Sequence, residues 1–184
     1  MYQKQNDLIF GFHGCDEKLR DEIVNNQKKL HRSTNSYDWL GLGMYFWENN
    51  PLRALQWAET MQKHPQNGKR KTENGKQKID KPSVLGAVIC PGQCLDFLSS
   101  ENIKLLSHAY AFLSESSNGQ TLPANKGNGL IRDLDCAVIQ MLITLQEEQQ
   151  NKKNLYDSVR GVFLKVRKSI PLQDSENRII FKYV

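Results

Sequence analysis

Apolar residues along the chain fall into two patterns, short continuous runs and repeats at helical spacing, which together predict mixed secondary structure. Short apolar runs bounded by turn residues predict strands at residues 8–12, 44–47, 83–90, 93–97, 160–166 and 178–184. Apolar repeats every three or four residues predict helices at 17–27, from 51 onward, at 101–113 and at 133–149. Strands and helices do not alternate regularly, which argues against a doubly wound parallel sheet.

The expected fold is α+β, a single domain over residues 1–184 with a mixed or antiparallel split sheet and flanking helices. A chain of 184 residues is long enough to bury one core. No apolar run approaches the roughly 20 residues that cross a bilayer, so we expect a cytoplasmic protein with no membrane partner. We expect the four scattered cysteines to be reduced, and no metal site, because no second Cys/His pair accompanies Cys90 and Cys94.

Two helix starts have clear local signals. Asp16 stands where an N-cap belongs, immediately before the helix predicted over 17–27. Asn50 and Pro51 are typical of a cap followed by a first helical residue. In that second helix we expect the apolar residues to pack inward, and these are Leu52, Leu55, Trp57 and Ala58.

The net charge of +5 comes from one segment, residues 60–82. It contains seven Lys or Arg residues against Glu73 and Asp80, with many Gly, Asn and Pro residues and few large apolar ones. Such a composition cannot bury enough surface to offset the entropy of ordering. We predict a flexible basic insertion, which either keeps the protein soluble or contacts phosphate groups.

Four segments combine glycine, aromatic and titratable residues and are candidates for chemistry. They are His13-Gly14 after the first predicted strand, GLGMYFWEN at 41–49, ALQWA at 54–58, and QDSENRIIF at 173–181. Each segment alone fits ordinary packing or solvent exposure. The glycine-rich phosphate motifs are missing, because GLGMYFW lacks the third glycine of G-x-G-x-x-G.

The order and spacing of FHGC at 12–15, GLGMYFWEN and ALQWA resemble the ADP-ribosyltransferases. The resemblance is to the diphtheria-toxin and poly(ADP-ribose) polymerase branch, which carries a His-Tyr-Glu triad. SYDWLG at 36–41, LDCAVI at 134–139 and VRGVF at 159–163 extend the resemblance to a group of small bacterial proteins. It implies an ADP-ribosyltransferase-like fold and an enzyme that cleaves the nicotinamide–ribose bond of NAD.

The resemblance also implies roles for individual residues. His13 would bind a ribose hydroxyl, and the main chain of Gly14 would pair with the nicotinamide carboxamide. Tyr45 would stack on the nicotinamide ring, with Trp57 as the opposite wall. Gly41 and Gly43 would form the turn that presents Tyr45, and Tyr37 and Asn35 would line the adenosine side.

The catalytic acid implied by the resemblance is Glu176, with Asp174 as the alternative. A carboxylate there would stabilise positive charge developing on the ribose and act as a base toward the acceptor. The residues that follow Glu176 depart from the family pattern, and the segment after VRGVF differs from that of the bacterial group.

Three functions are consistent with these residues. The first is transfer of ADP-ribose from NAD to a protein or nucleic acid, as a bacterial toxin or defence effector with an antitoxin or regulator as a candidate partner. The second is a noncatalytic module of the same fold that binds NAD or polyanions. The third is hydrolysis of NAD without an acceptor.

Overall fold

The computed structural model describes residues 4–5, 8–34, 38–63, 79–126, 131–151, 155–163 and 178–183. Within these ranges the strands are β1 (Lys4–Gln5), β2 (Ile9–Asp16), β3 (Met44–Glu48), β4 (Pro82–Ile89), β5 (Gly92–Asp96), β6 (Ser158–Phe163) and β7 (Arg178–Tyr183). The helices are α1 (Glu17–Val24), α2 (Pro51–Lys63), α3 (Ser100–Ser116) and α4 (Asp133–Gln149).

The described strands form one mixed sheet in the order β1-β5-β6-β7-β3-β2-β4. β5 and β6 are parallel, and every other neighbouring pair is antiparallel. The predicted α+β class and mixed sheet are therefore confirmed. None of the helices in the described ranges is long and apolar enough to cross a membrane.

The prediction that the first strand ends at Phe12 is wrong. β2 continues through His13 and Gly14 to Asp16, because β4 pairs with it along its whole length, from Ile9↔Ile89 to Asp16↔Pro82. The residues after Phe12 lack the apolar pattern of a strand, and only this distant partner shows that the strand goes on. His13 and Gly14 thus lie inside a strand and not after one.

The cap signals of α1 and α2 are confirmed. The Asp16 carboxylate accepts a hydrogen bond from the Lys18 N–H at 3.0 Å. The Asn50 side chain accepts one from the Arg53 N–H at 2.9 Å, with Pro51 as the first helical residue. Each cap supplies an acceptor for an N–H group that the first helical turn leaves unpaired.

The predicted inward face of α2 is wrong in part. Leu52 is 63% exposed and Trp57 is 42% exposed, whereas Ala54 and Ala58 are fully buried. Buried Arg53 places its guanidinium 4.7 Å from the centre of the Trp47 ring. Small side chains face the sheet here, so the helix backbone lies close to β2.

The helix also shortens the predicted basic insertion. Because α2 runs to Lys63 and β4 begins at Pro82, residues 60–63 are helical, and residues 64–78 lie outside the described ranges. The Gln62 amide donates to the Asp80 carbonyl at 2.6 Å. The Asp16 carboxylate accepts from the main-chain N–H groups of Asp80 (2.8 Å) and Lys81 (3.0 Å). The chain is therefore fixed on both sides of residues 64–78.

The main core lies between one face of the sheet and helices α3 and α4. Its fully buried members include Leu40, Leu95, Leu155, Tyr156 and Val159. Phe46, Ile89 and Cys94 form a smaller cluster on another part of the sheet. All four cysteines are free thiols, as expected; Cys15, Cys94 and Cys136 are buried, and Cys90 is exposed.

Candidate active site

The ladder between β2 and β3 is short, and its end defines the candidate site. The two strands pair only at Gly11↔Glu48 and Phe12↔Trp47 among the described residues. The Phe10 carbonyl accepts from the Asn49 N–H on the β3 side at 2.8 Å. Since main-chain groups alternate along a strand, those of Gly14 also point toward β3, beyond the end of the ladder.

The imidazole of His13 bonds to the main chain of Tyr45, next to the end of this ladder. Its Nδ1 lies 2.8 Å from the carbonyl oxygen of Tyr45. A carbonyl only accepts, so Nδ1 carries the proton and Nε2 is an acceptor in the neutral ring. Burial lowers the pKa of His13, although the bond to Tyr45 opposes this shift, so the ring is neutral at pH 7.

Gly14 lies directly under α2. A Cβ at this position would be 2.1 Å from the carbonyl oxygen of Ala54 and 3.2 Å from the main-chain nitrogen of Ala58. The structure therefore supplies a packing reason for glycine, in addition to the ligand contact that the resemblance implies. One face of Gly14 contacts the helix, while its N–H and C=O lie in the plane of the sheet.

The phenol of Tyr45 is held by the turn that precedes β3. Its hydroxyl donates to the Gly41 carbonyl at 2.6 Å and accepts from the Leu40 N–H at 3.1 Å. Burial, together with the nearby Asp38 charge, raises the pKa of Tyr45 far above its ordinary value. Gly41 has φ 83°, a left-handed conformation that favours glycine and allows this closed turn.

His13 and Tyr45 are joined through the main chain of Tyr45 and not through their rings. The Tyr45 ring packs against the main core, together with Phe12. The His13 ring lies edge-on to Phe46, with ring centres 6.0 Å apart, on the side of the sheet that carries the smaller cluster. The structure thus brings together His13, Gly14 and the backbone of Tyr45.

The other predicted site residues make no hydrogen bond to His13 or Gly14, or lie outside the described ranges. Gly43 is buried, and its N–H and C=O both bond to the main chain of Ser33. Trp57 lies one turn beyond Ala54 on α2, with its side chain partly in solvent. Tyr37 and Asn35, and the predicted acid Glu176 with its alternative Asp174, fall outside the described residues.

Sequence reasoning assigned no role to a buried ion cluster beside the site. Arg160 on β6 reaches across β7 and binds both carboxylate oxygens of Glu48 at 2.9 Å, and Asp96 at 3.3 Å. The Glu48 side chain is only 8% exposed. Both residues lie within quoted motifs, but they are separated by 112 positions, so no local signal pairs them.

A surface groove of about 540 Å³ lies away from this site, along α1. Asp16, Glu17, Asp21, Glu22 and Asp80 line it, with Lys18 and Lys81 among them. This excess of carboxylates disfavours a dinucleotide diphosphate. Within the described ranges no cluster of His, Cys, Asp and Glu residues is suited to hold a metal ion.

No protein-family model, curated protein or solved structure matches this chain. The functional assignment therefore depends on the geometry of the site and on the motif resemblance.

Proposed function

We propose that this protein is an NAD-dependent ADP-ribosyltransferase that binds the nicotinamide end of NAD where β2 and β3 separate. The observation that carries the proposal is the end of the ladder after Phe12. Beyond this point the N–H and C=O of Gly14 face β3 without pairing to it in the β2–β3 ladder, and the neutral ring of His13 lies alongside. An amide pairs with one donor and one acceptor from a single residue, and the carboxamide of nicotinamide is such a group.

His13 is suited to position the adjoining ribose. The Tyr45 carbonyl fixes the proton on Nδ1, which leaves Nε2 to accept a hydrogen bond from a ribose hydroxyl. Because burial keeps the ring uncharged, it places no positive charge next to a ribose that becomes cationic in the transition state. In the proposal, Trp57 on α2 forms an outer wall for nicotinamide, and Tyr45 contributes through the main-chain carbonyl that orients His13.

The reaction breaks the bond between ribose C1′ and the nicotinamide nitrogen. The bonding electron pair moves to that nitrogen, so nicotinamide leaves as a neutral molecule. A nucleophile on a protein or nucleic acid then bonds to C1′ and gives up its proton. We assign Glu176 to stabilise the positive ribose and to accept this proton.

Two conservative variants of His13 test the site without removing its packing. In His13→Asn, the amide nitrogen takes the place of Nδ1 and keeps the bond to Tyr45, but the Nε2 acceptor is lost. His13→Gln instead keeps a polar atom near Nε2 and loses the Nδ1 position. We expect His13→Asn to lower nicotinamide release by about 10²-fold or more while folding normally.

The measurements are NAD affinity by calorimetry, nicotinamide release by chromatography, and melting temperature for each variant. The control is His108→Asn on α3, which replaces an exposed histidine far along the chain. Wild-type protein that neither binds nor cleaves NAD would refute the proposal. Equal activity in His13→Asn and His108→Asn would refute the role of His13.

The acid is tested separately by Glu176→Gln and Asp174→Asn. Under the proposal, Glu176→Gln binds NAD but releases almost no nicotinamide, whereas Asp174→Asn retains activity. Wild-type binding without nicotinamide release would instead favour the noncatalytic module. Incubation with labelled NAD, cell protein and RNA identifies the acceptor by the fraction that retains label, and release without label indicates simple hydrolysis.

A further inference from the structure

β4 is the last strand of the sheet order, and no other described strand pairs with its outer side. Odd-numbered residues of β2 direct their main-chain N–H and C=O groups toward β4. The same alternation continues just past β2, where the Glu17 N–H donates to the Lys81 carbonyl at 2.9 Å. By alternation, Val84, Gly86 and Val88 direct their N–H and C=O groups away from β2. Among the described residues β4 has a strand partner on one side only.

An exposed apolar patch adjoins this edge. Phe10 on β2 and Val88 on β4 are paired in register, and they are 60% and 63% exposed. Leu8, which precedes β2, is 67% exposed, and Gly86 is exposed as well. Helix α2 covers the sheet over Gly14, at the other end of β2, and leaves this end bare.

We propose that β4 is a dimerisation edge, on which a second copy of this chain pairs antiparallel with its own β4. A two-fold axis through Gly86 would place Val84 opposite the partner's Val88, Gly86 opposite the partner's Gly86, and Val88 opposite the partner's Val84. All three outward residues would then be matched, and each such pair exchanges two hydrogen bonds, for a total of about six.

The chemistry of the edge favours a second copy over a charged peptide. Residues 82–95 contain no charged side chain, so two copies bring no like charges together. Natural edge strands commonly carry lysine or bulges that prevent such pairing, and β4 has neither between Ser83 and Ile89. Because β3, β2 and β4 are antiparallel, the pairing would continue the sheet without changing its pattern.

The first test compares two lysine substitutions at equally exposed valines. Val88→Lys places a charge at the edge, whereas Val24→Lys places one at the end of α1, where Val24 is 64% exposed. Sedimentation equilibrium from micromolar to millimolar protein gives the dimer Kd. We expect Val88→Lys to raise it by about tenfold or more, because each dimer contains the change twice, and Val24→Lys to leave it unchanged.

The second test reads the hydrogen-bonding pattern directly by amide hydrogen exchange at low and high protein concentration. In the monomer the outward amides of Val84, Gly86 and Val88 should exchange quickly, and dimerisation should protect them. The inward amides should be protected at both concentrations, and they belong to Ser83, Leu85 and Ala87.

Three results would overturn the proposal. The first is a protein that stays monomeric over the whole concentration range. The second is a dimer that Val88→Lys and Val24→Lys weaken equally. The third is protection of the outward amides in a monomer, which would show that another segment of the same chain covers the edge. Nicotinamide release does not enter either test, so the proposed enzymatic function can fail independently.

Discussion

Replacing Gly14 by alanine tests how closely α2 approaches the sheet. The added Cβ would lie 2.1 Å from the Ala54 carbonyl oxygen and 3.0 Å from the carbonyl carbon, and both are main-chain atoms of a helix. No side-chain rotation relieves this overlap, so α2 must move away from β2. Overpacking of this kind costs about 3 kcal/mol. In a domain of this length, that loss corresponds to a melting temperature lower by roughly 6–12 °C.

The matched control is Gly86→Ala on the neighbouring strand. Its Cβ would lie 3.6 Å from the Phe12 ring, an ordinary contact, so we expect little change in stability. Calorimetric melting of wild type and both variants measures the effect, and circular dichroism checks that the helices persist. If Gly14→Ala melts within about 2 °C of wild type, as Gly86→Ala should, α2 does not pack against Gly14 as closely as described.

Three further predictions concern charged and titratable groups. Arg160→Met should lower the free energy of unfolding, measured by urea titration, by about 3 kcal/mol, because it removes the cation that pairs with the carboxylates of Glu48 and Asp96. An unfolding midpoint at the same urea concentration as wild type would contradict this prediction. Although partial burial opposes the shift, three main-chain N–H donors lower the pKa of Asp16 from 3.8. The stability that the ionised Asp16 carboxylate adds to the folded protein is therefore present above pH 3.8 and is lost as the pH falls through the lowered pKa. The stability difference between wild type and Asp16→Asn should therefore shrink on acidification, and a constant difference would refute the assignment. Loss of solvent around the ring lowers the pKa of His13 from 6.5, so folding disfavours its protonation and stability should fall as pH decreases below 6.5. His13→Asn should remove this part of the pH dependence, and an identical pH profile of stability in both proteins would count against a neutral His13 ring in the folded protein.

Local side-chain chemistry was sufficient to predict where α1 and α2 begin. The length of β2 depends on pairing with a distant strand and could not be predicted from the sequence alone. As helix caps, Asp16 and Asn50 bond to main-chain groups within three residues of their own positions, so this role follows from the sequence. The continuation of β2 past Phe12 depends on β4, which lies more than 60 residues away. The exposure of Trp57 likewise depends on which face of α2 meets Gly14, and that face carries Ala54 and Ala58.

Some features of the candidate site could likewise be predicted from the sequence, and others could not. The resemblance named His13, Gly14 and Tyr45 from spacing, and the structure brings the imidazole to the Tyr45 backbone. It could not indicate that the phenol is held by Leu40 and Gly41, since those bonds depend on a three-dimensional turn. The proposed acid is not among the described residues, so its assignment to Glu176 remains a prediction.

The bonds that fix the chain around residues 64–78 have a practical consequence for protein engineering. Gln62 and Asp80 are in direct contact, and Asp16 holds the returning strand, so the two attachment points stay together whatever connects them. A short Gly/Ser connector or a fluorescent reporter should therefore be accepted between them without disturbing the sheet. Exchanging that stretch also removes Lys69, Arg70, Lys71, Lys76 and Lys78 in one step, which makes the contribution of positive charge to RNA or protein labelling directly measurable.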